Sequence, residues 1–409
     1  MSKSYSSAIE LIYNKRFRSI FFQITLLVSV ILFFLWVANN ANSNLTARGD
    51  SFGFGFLNNT AGFQILPTLG TWVVGYDVGK STYFDVFIIG IINTFIIAIT
   101  GIIATTILGF SIGIFRLSNN FILKGFATIY IEMFRNIPLL LHLFFWYFAV
   151  LRVLPGKREK VNLLGESFGI NITGLYGPRP IFNEGWEFIA LGILFSIIIV
   201  IIFTRYAKRI HQETGYKYPT FWISSGIIIL IPCLICLIYS VLYSLPIEIQ
   251  YPEFKTDGPK LKRGFAQGTG MMMPPEMLAL WLALVLYTAS FIAEIVRAGI
   301  LAIHKGQTEA SYAVGLGRGE TLRLIVIPQA LRVIVPPLTS QYLNLTKNSS
   351  LAVAIAYPEL VSIFAGTALN QVGQEIEIIF MMAMVYLTFS LLTSLFMNWF
   401  NSRIKLVER

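Results

Sequence analysis

Long apolar segments recur along most of this 409-residue chain, and they constrain its fold more than any other feature. A helix that crosses a lipid bilayer needs about 20 predominantly apolar residues. The chain is therefore predicted to be an all-α polytopic membrane protein with about eight transmembrane helices. The predicted spans cover residues 20–37, 86–115, 126–150, 188–203, 221–245, 277–292, 325–345 and 376–400.

The composition excludes several other classes of protein. Hydrophobic residues make up 55% of the chain and charged residues 13%, whereas a soluble domain carries about 25% charged residues. This excludes a soluble enzyme, a disordered chain and a receptor with one transmembrane helix. The net charge of +10 fits the basic residues of cytoplasmic loops better than a nucleic-acid interface. With two cysteines and three scattered histidines, no metal site, cofactor or disulfide framework is predicted.

Basic residues are distributed unevenly between the two sets of loops. If the N-terminus is cytoplasmic, the inner segments hold 17 basic residues in 87, and the outer segments hold 12 in 146. The positive-inside rule therefore predicts that both termini are cytoplasmic. One basic run in an outer segment, residues 157–160, departs from this rule.

The second predicted span contains two glycines, Gly109 and Gly113, separated by three residues. Small residues at this spacing allow two helix backbones to approach closely inside a membrane. The pair therefore predicts a helix–helix packing site.

The inner segment between the sixth and seventh spans, residues 293–328, carries the most informative pattern. Thr308 is predicted to cap a short helix that begins at Glu309, because an acidic residue stabilises the positive end of a helix. Gly315 is predicted to end that helix, and a second helix is predicted to enter the membrane near Pro328. The short stretch alone could be an ordinary helix with a glycine stop. The full segment predicts a short helix that is held rigidly at the cytoplasmic surface and fits into a groove of another protein.

This segment resembles the EAA loop of ABC-importer permeases. The family has alanine at the third position of the motif, where this chain has serine. The resemblance implies a coupling helix that docks into a groove of a separate ATPase subunit. The matching residues are Glu309, Ala310, Gly315, Ile325 and Pro328, and Ser311 is the small residue that stands at the third position.

Further stretches are similar to the polar amino-acid branch of these permeases, and the extended layout resembles the larger permease subunits of bacterial general L-amino-acid importers. The matching stretches are residues 134–140, 293–299, 328–332 and 347–351. The resemblance implies that five spans form a type I importer core and that three spans are additional.

The resemblance also suggests a division of the chain into four parts. An N-terminal anchor helix and outer loop would occupy residues 1–85, and the first part of the permease core residues 86–150. An insertion with two extra spans would occupy residues 151–275, and the second part of the core residues 276–409. The end of the insertion is rich in proline, glycine and lysine and is expected to form surface connections.

The function implied by the resemblance is that of a transmembrane subunit in an ATP-driven importer of L-amino acids in a bacterial inner membrane. Its implied partners are an ABC ATPase, a second permease subunit, favoured as a different chain, and a periplasmic amino-acid-binding protein. The chain itself is not predicted to be an enzyme. Residues 75–81 fall one residue short of a phosphate-binding loop, so no ATP site is predicted on this chain.

Two alternatives remain at this stage. Residues Pro336 and Pro337 are expected to kink the seventh span, and a broken helix is one mark of an ion-driven secondary transporter. A membrane-embedded enzyme is disfavoured, because no catalytic group of residues is apparent in the sequence.

Charged residues inside membrane spans are costly and usually face a bundle interior or a water-filled cavity. Glu132 and Arg135 are three residues apart, so they share a helix face and are predicted to form an ion pair. Glu294 and Arg297 repeat this spacing. Both pairs are expected to be structural ion pairs within the membrane-spanning part of the chain.

Uncharged polar residues mark a candidate translocation path in the seventh span. Gln341, Asn344 and Asn348 are spaced by three and four residues, so they form one stripe on a helix. Such a stripe could line the path of a zwitterion or hold helices together. Glu359, which follows a proline, is a further candidate for the path, as part of a gate or of a packed turn.

Overall fold

The protein is represented by a computed structural model that describes residues 15–48, 53–163, 165, 167–257, 259, 263–266 and 268–404. The first 14 residues of the predicted N-terminal part lie outside the described residues. So do the last five residues of the chain, which the charge count assigns to the cytoplasm.

Helices dominate the structure. The described part contains seven helices that are long and apolar enough to cross a membrane, or eight if one bent pair is counted as a span. The predicted number of spans is thereby confirmed. The helices are α1 (Lys15–Arg48), α2 (Leu69–Val74), α3 (Tyr83–Arg116), α4 (Phe121–Asn136), α5 (Leu139–Phe144), α6 (Trp186–Thr214), α7 (Thr220–Leu242), α8 (Pro275–Leu301), α9 (Lys305–Ala313), α10 (Arg318–Thr321), α11 (Ile327–Asn348), α12 (Leu369–Val372) and α13 (Glu375–Ile404).

The third predicted span is not one continuous helix. α4 ends at Asn136, and the chain bends by 106° before α5, which continues through a π-helical turn and a short 3₁₀ turn to Val153. The cause is Pro138, which has no backbone N–H and which disfavours a helical conformation at Ile137. Ile137 is accordingly extended, with φ −106° and ψ 133°. The prediction of a single helix over residues 126–150 is therefore wrong.

The two prolines of the seventh span, unlike Pro138, do not end a helix. α11 continues from Ile327 to Asn348 with Pro336 and Pro337 inside it. The helix of this span is therefore not broken at the prolines, and the predicted kink stays a prediction. Packing explains the continuity, because α11 contacts both α8 and α13 and neighbouring helices can compensate for the hydrogen bonds that proline removes.

The centre of the fold is the contact between α3 and α8. Gly109 and Gly113 of α3 lie directly against α8, as the glycine spacing predicted. A Cβ atom at Gly109 would lie 2.6 Å from the Cγ2 of Ile292, and one at Gly113 would lie 2.7 Å from the carbonyl oxygen of Ala293. The two backbones can approach this closely only because both α3 positions lack a side chain.

Substitution of Gly113 by valine is expected to destabilise the protein by about 2 kcal/mol, because the new side chain overlaps the α8 backbone. The measurement is the thermal unfolding midpoint of the purified chain in detergent. Gly125→Ala in α4 is the control, since nothing lies within 4 Å of a Cβ atom at that position. A Gly113→Val variant as stable as this control would contradict the packing.

Helices α6 and α7, inside the predicted insertion, form an antiparallel pair. Gly192 of α6 lies against Ile235 of α7, and Gly185 lies against the ring of Tyr239. α7 has no buried residue, and the apolar window of α1 is entirely exposed. These helices therefore present apolar surfaces away from the helices of the central bundle.

The insertion also contains antiparallel strands, which the sequence analysis did not predict. They are β1 (Val161–Leu163), β2 (Phe168–Asn171), β3 (Gly174–Gly177), β4 (Arg179–Phe182), β5 (Ile247–Gln250), β6 (Phe254–Lys255), β7 (Gly264–Phe265) and β8 (Met271–Met273). One sheet has the order β1-β2-β3-β8, and two further pairs are β4-β5 and β6-β7. The membrane part is thus helical, and the sheet layer lies at the end of the bundle where α8 begins.

Candidate functional site

The segment between α8 and α11 forms a short helix followed by a tight turn. The short helix, α9, begins at Lys305 rather than Glu309. His304 caps it, because its ring nitrogen Nδ1 accepts a hydrogen bond from the backbone N–H of Gly306 at 3.1 Å. The predicted cap at Thr308 is therefore wrong, since Thr308 already lies within the helix. A histidine ring can satisfy a free N–H group at a helix start as a hydroxyl group can.

The turn after α9 confirms that Gly315 ends this helix, and its part in ATPase coupling stays a prediction. Gly315 has φ +83°, in the left-handed region where glycine carries no Cβ penalty. The N–H of Gly315 bonds to the carbonyl of Tyr312, and the N–H of Leu316 bonds to the carbonyl of Ser311. This pair of hydrogen bonds is a Schellman-type helix end. The direction in which the chain leaves α9 is therefore fixed.

The side chains of α9 divide into an outward and an inward set. Glu309, Ala310 and Tyr312 are exposed, whereas Ser311 is 4% exposed. The Ser311 hydroxyl group lies 2.9 Å from that of Thr321 in α10. Ser311 therefore holds α9 against α10 instead of facing outward, although it belongs to the matched motif.

The chain after α10 completes this segment. Ile325 is half-buried in a π-helical turn, Leu322–Val326, that leads into α11. Pro328 lies in the first turn of α11, where a missing N–H group is tolerated. The amide of Gln329 donates to the side-chain oxygen of Gln307 at 3.2 Å. α9 is thus tied to the start of α11, and Val314, which is 76% exposed, leaves an apolar surface beside it.

An ion-pair cluster joins α3, α4 and α8 near the same end of the bundle. Arg116, at the end of α3, donates to the carboxylate of Glu294 at 2.7 Å. Glu294 also accepts from Arg297 Nε at 3.1 Å, so the predicted pair Glu294–Arg297 forms. Glu132 lies 3.7 Å from Arg116. The cluster connects three helices through one arginine.

The predicted pair Glu132–Arg135 is wrong. Among the described residues, the ion-pair partner of Glu132 is Arg116. The guanidinium of Arg135 lies over the ring of Phe291 in α8, 5.4 Å from its centroid. The sequence spacing permitted the pair within α4, but tertiary packing brings a cation from α3 closer. Arg116 was therefore missed, because its contacts are not local in sequence.

Substitution of Arg116 by methionine is expected to destabilise the protein by about 2 kcal/mol, since a partly buried, charged hydrogen bond to Glu294 is lost. Thermal unfolding in detergent measures this loss. Lys124→Met is the control, because Lys124 is exposed and is in no ion pair of the described residues. Equal unfolding midpoints for the two variants would contradict the role of the cluster.

The predicted polar stripe lies on one face of α11. Gln341 and Asn348 are half-buried and Asn344 is exposed. Their side chains make no hydrogen bond within the described part of the chain. The buried face of the helix is different and includes Tyr342, whose hydroxyl group lies 2.7 Å from that of Thr106. An exposed asparagine in a membrane helix faces water or another protein, since lipid would leave its amide unsatisfied.

Glu359 lies inside the fold, in a turn between α11 and α13. It is 0% exposed, and its carboxylate accepts hydrogen bonds from the backbone N–H of Val361 at 3.0 Å, the N–H of Ser362 at 2.7 Å and the hydroxyl group of Tyr386 at 2.9 Å. Of the two interpretations that the sequence left open, this geometry favours the packed turn.

The turn that contains Glu359 is also attached to α3. Asn93 is fully buried, and its amide nitrogen donates to the carbonyl of Pro358 at 2.7 Å. Its amide oxygen accepts from the N–H of Gly70 at 3.1 Å. Sequence analysis missed Asn93, although a lone amide inside an apolar span is a usable signal.

In the described ranges, no group of three or more His, Cys, Asp or Glu side chains is placed to hold a metal ion.

Comparison of the sequence with known proteins identifies similarity to a family of transport proteins. Residues 213–406 match the family described as binding-protein-dependent transport system inner membrane component. The chain is 45% identical over 409 residues to the general L-amino acid transport system permease protein AapQ of Rhizobium johnstonii, covering 99% of this chain and 96% of that protein. It is 40% identical over 429 residues to the glutamate/glutamine/aspartate/asparagine transport system permease protein BztB of Rhodobacter capsulatus, covering 98% and 96%.

Proposed function

The chain belongs to the family of inner membrane components of binding-protein-dependent transport systems, and on that premise we propose that it carries L-amino acids inward across a bacterial inner membrane. The cargo is inferred from the names of the relatives, which describe general L-amino acid transport and transport of glutamate, glutamine, aspartate and asparagine. ATP is hydrolysed on a separate subunit, and transport proceeds by alternating access.

The observation that carries this proposal is the placement of α9 between two membrane helices. Its outward face offers Glu309, Ala310 and Tyr312, and the inward Ser311 holds it in place. Such a face can insert into a groove of an ATPase subunit. Because α9 follows α8 directly in the chain and is hydrogen-bonded to the start of α11, a displacement of α9 would move both helices.

The proposed translocation path follows the polar stripe of α11. Gln341, Asn344 and Asn348 can donate to a carboxylate and accept from an ammonium group, which are the two charged groups of an amino acid. Glu359 lies outside this path in our proposal, because its carboxylate already accepts three hydrogen bonds. It fixes the turn that follows α11.

The proposed topology places both termini in the cytoplasm, with α9 on the same side. Residues 86–150 and 276–409 form the permease core, whereas α1 and the α6–α7 pair lie at its periphery. A second, different permease subunit completes the path, and a soluble amino-acid-binding protein docks on the outer face.

Purification of the tagged chain in mild detergent tests the assembly. We expect an ATPase with a phosphate-binding loop and a second permease to co-purify. In proteoliposomes, uptake of labelled L-glutamate and L-glutamine is expected to require both internal ATP and the binding protein. A chain that purifies alone and moves amino acids without ATP would contradict the proposal and would favour an ion-driven secondary transporter.

A further inference from the structure

A cavity opens between three core helices at the end of the bundle that carries α9. Its volume is about 390 Å³. The end of α3, the loop that follows it, the first turns of α4 and the last turns of α8 form its walls. Its polar lining residues are Arg116, Ser118, Asn119, Lys124, Thr128 and Arg297.

The cavity carries an excess of positive charge. Three of its lining side chains are basic, one from each helix, and none is acidic. Two carboxylates lie nearby, but Glu294 is paired with both arginines and Glu132 lies beside Arg116. Lys124 is exposed and takes part in none of the ion pairs of the described residues. Three cations against two carboxylates leave one positive charge uncompensated.

Both arginines keep donor groups that Glu294 does not use. Arg297 donates to Glu294 through Nε and Nη2, and Arg116 donates through Nη1. Arg116 Nη2 lies 3.7 Å from the carboxylate of Glu132, which is beyond hydrogen-bond distance. Neither this atom nor Arg297 Nη1 has an acceptor within the part of the chain that the structure describes, and both side chains are partly exposed. An anion with several acceptor oxygens can therefore bind both arginines while they stay paired with Glu294.

The cavity borders a surface that faces the lipid of the bilayer. Lys124 and Thr128 of α4 are four residues apart, so they share the helix face that lines the cavity. Ile122, Phe126 and Ile129 lie on a neighbouring face of α4 and are exposed. Exposed apolar side chains of a membrane helix contact acyl chains. A ligand that fits both surfaces carries a phosphate group and an acyl chain.

We propose that this cavity binds the phosphate group of an anionic phospholipid. The assignment to the inner leaflet rests on the proposed function, whose topology places this end of the bundle at the cytoplasmic surface. Basic pockets between membrane helices on that side bind lipid headgroups, because they combine positive charge with access from the bilayer. Lys124 supplies three donors that no carboxylate occupies, and the loop residues Ser118 and Asn119 add hydroxyl and amide donors.

A bound phosphate would connect three helices of the core. Arg116 ends α3, Lys124 lies in the first turns of α4, and Arg297 lies in the last turns of α8. α8 ends at Leu301, and α9 begins at Lys305 after only three further residues. Occupancy of the cavity therefore links the lipid composition of the membrane to the position of α9. ATP-driven uptake is accordingly expected to rise with the fraction of anionic lipid.

The binding test uses the purified full-length chain in a neutral detergent. Its thermal unfolding midpoint is measured during titration with phosphatidylglycerol, with phosphatidylcholine and with inorganic phosphate. We expect phosphatidylglycerol to raise the midpoint at the lowest concentration, because a ligand that binds only the folded state stabilises it. In Lys124→Gln, the phosphatidylglycerol concentration that gives half of this shift should rise about tenfold, as expected for the loss of one charged hydrogen bond.

Two further variants serve as controls. Lys208→Gln replaces an exposed lysine of α6 that does not line the cavity, and it should change the half-shift concentration less than twofold. Lys124→Arg keeps the charge and should also retain binding. Because Lys124 is exposed, its substitution is not expected to disturb folding.

An unchanged half-shift concentration in Lys124→Gln would overturn the site. Equal stabilisation by inorganic phosphate or by phosphatidylcholine would overturn the assignment to an anionic lipid. The titration needs neither the ATPase nor uptake. Its failure is therefore distinguishable from a failure of the proposed function, which would appear as a chain that purifies alone and moves amino acids without ATP.

Discussion

Substitution of Gly315 by valine is expected to abolish ATP-driven uptake and association with the ATPase, while the chain still inserts into the membrane. Gly315 has φ +83° at the end of α9. A β-branched residue is strongly strained in this region, and any L-residue there costs roughly 1–2 kcal/mol. The variant would relieve this strain by altering the turn, and α9 would lose its fixed orientation. Uptake into proteoliposomes and co-purification of the ATPase measure both effects.

Gly315→Asn is the matched control, because asparagine tolerates the left-handed region better than other residues with a side chain. It should retain most of the uptake. Nothing lies within 4 Å of a Cβ atom at Gly315, so a difference between the two variants would come from backbone conformation and not from a steric clash. If valine and asparagine reduced uptake equally, the helix end would not be the feature that matters.

The membrane helices could be predicted from the sequence, because span length and hydropathy are imposed by the bilayer itself. Two local signals were equally reliable. The spacing of Gly109 and Gly113 predicted close packing, and α8 does approach α3 at both positions. Gly315 predicted a left-handed helix end, which the structure contains. In each case the sequence signal, glycine at one position or at a set spacing, lies within a few residues of the chain.

The features that the sequence did not predict depend on contacts between distant segments. Arg116, and not Arg135, is the ion-pair partner of Glu132 because α3 and α4 pack against each other and against α8. α11 stays helical through two prolines because its neighbours hold it. The strands of the insertion are only two to four residues long, which is too short for an alternating pattern to stand out from a loop.

In the candidate site, too, local sequence signals were predicted and contacts between distant segments were not. Residue types and spacing were sufficient to find the α9 segment and the α11 stripe. They could not tell which side chains face outward, and two assignments changed as a result. Ser311, matched as part of a docking motif, faces the interior and bonds to Thr321. Glu359, a candidate for the path, is enclosed in the fold.

The enclosure of Glu359 leads to the second large expected effect, which is a loss of stability. Glu359→Ala is expected to destabilise the protein by about 3 kcal/mol or more. The substitution removes the acceptor of two backbone N–H groups and of the Tyr386 hydroxyl group, and each buried donor left unsatisfied costs about 1–3 kcal/mol. Thermal unfolding of the purified chain in detergent measures the loss. Glu359→Gln should be intermediate, because an amide keeps one acceptor oxygen.

Two comparisons separate this role from a direct contact with the cargo. Glu375→Ala, at an exposed glutamate in the first turn of α13, should leave stability within about 0.5 kcal/mol of the wild type. Asn344→Ala, at the exposed position of the polar stripe of α11, should change the concentration dependence of uptake without a comparable loss of stability. The opposite pattern, a stable Glu359→Ala variant with weakened uptake, would place Glu359 on the path. It would then assign the turn after α11 to substrate recognition, and the hydrogen bonds to Val361, Ser362 and Tyr386 would orient a carboxylate that the cargo meets.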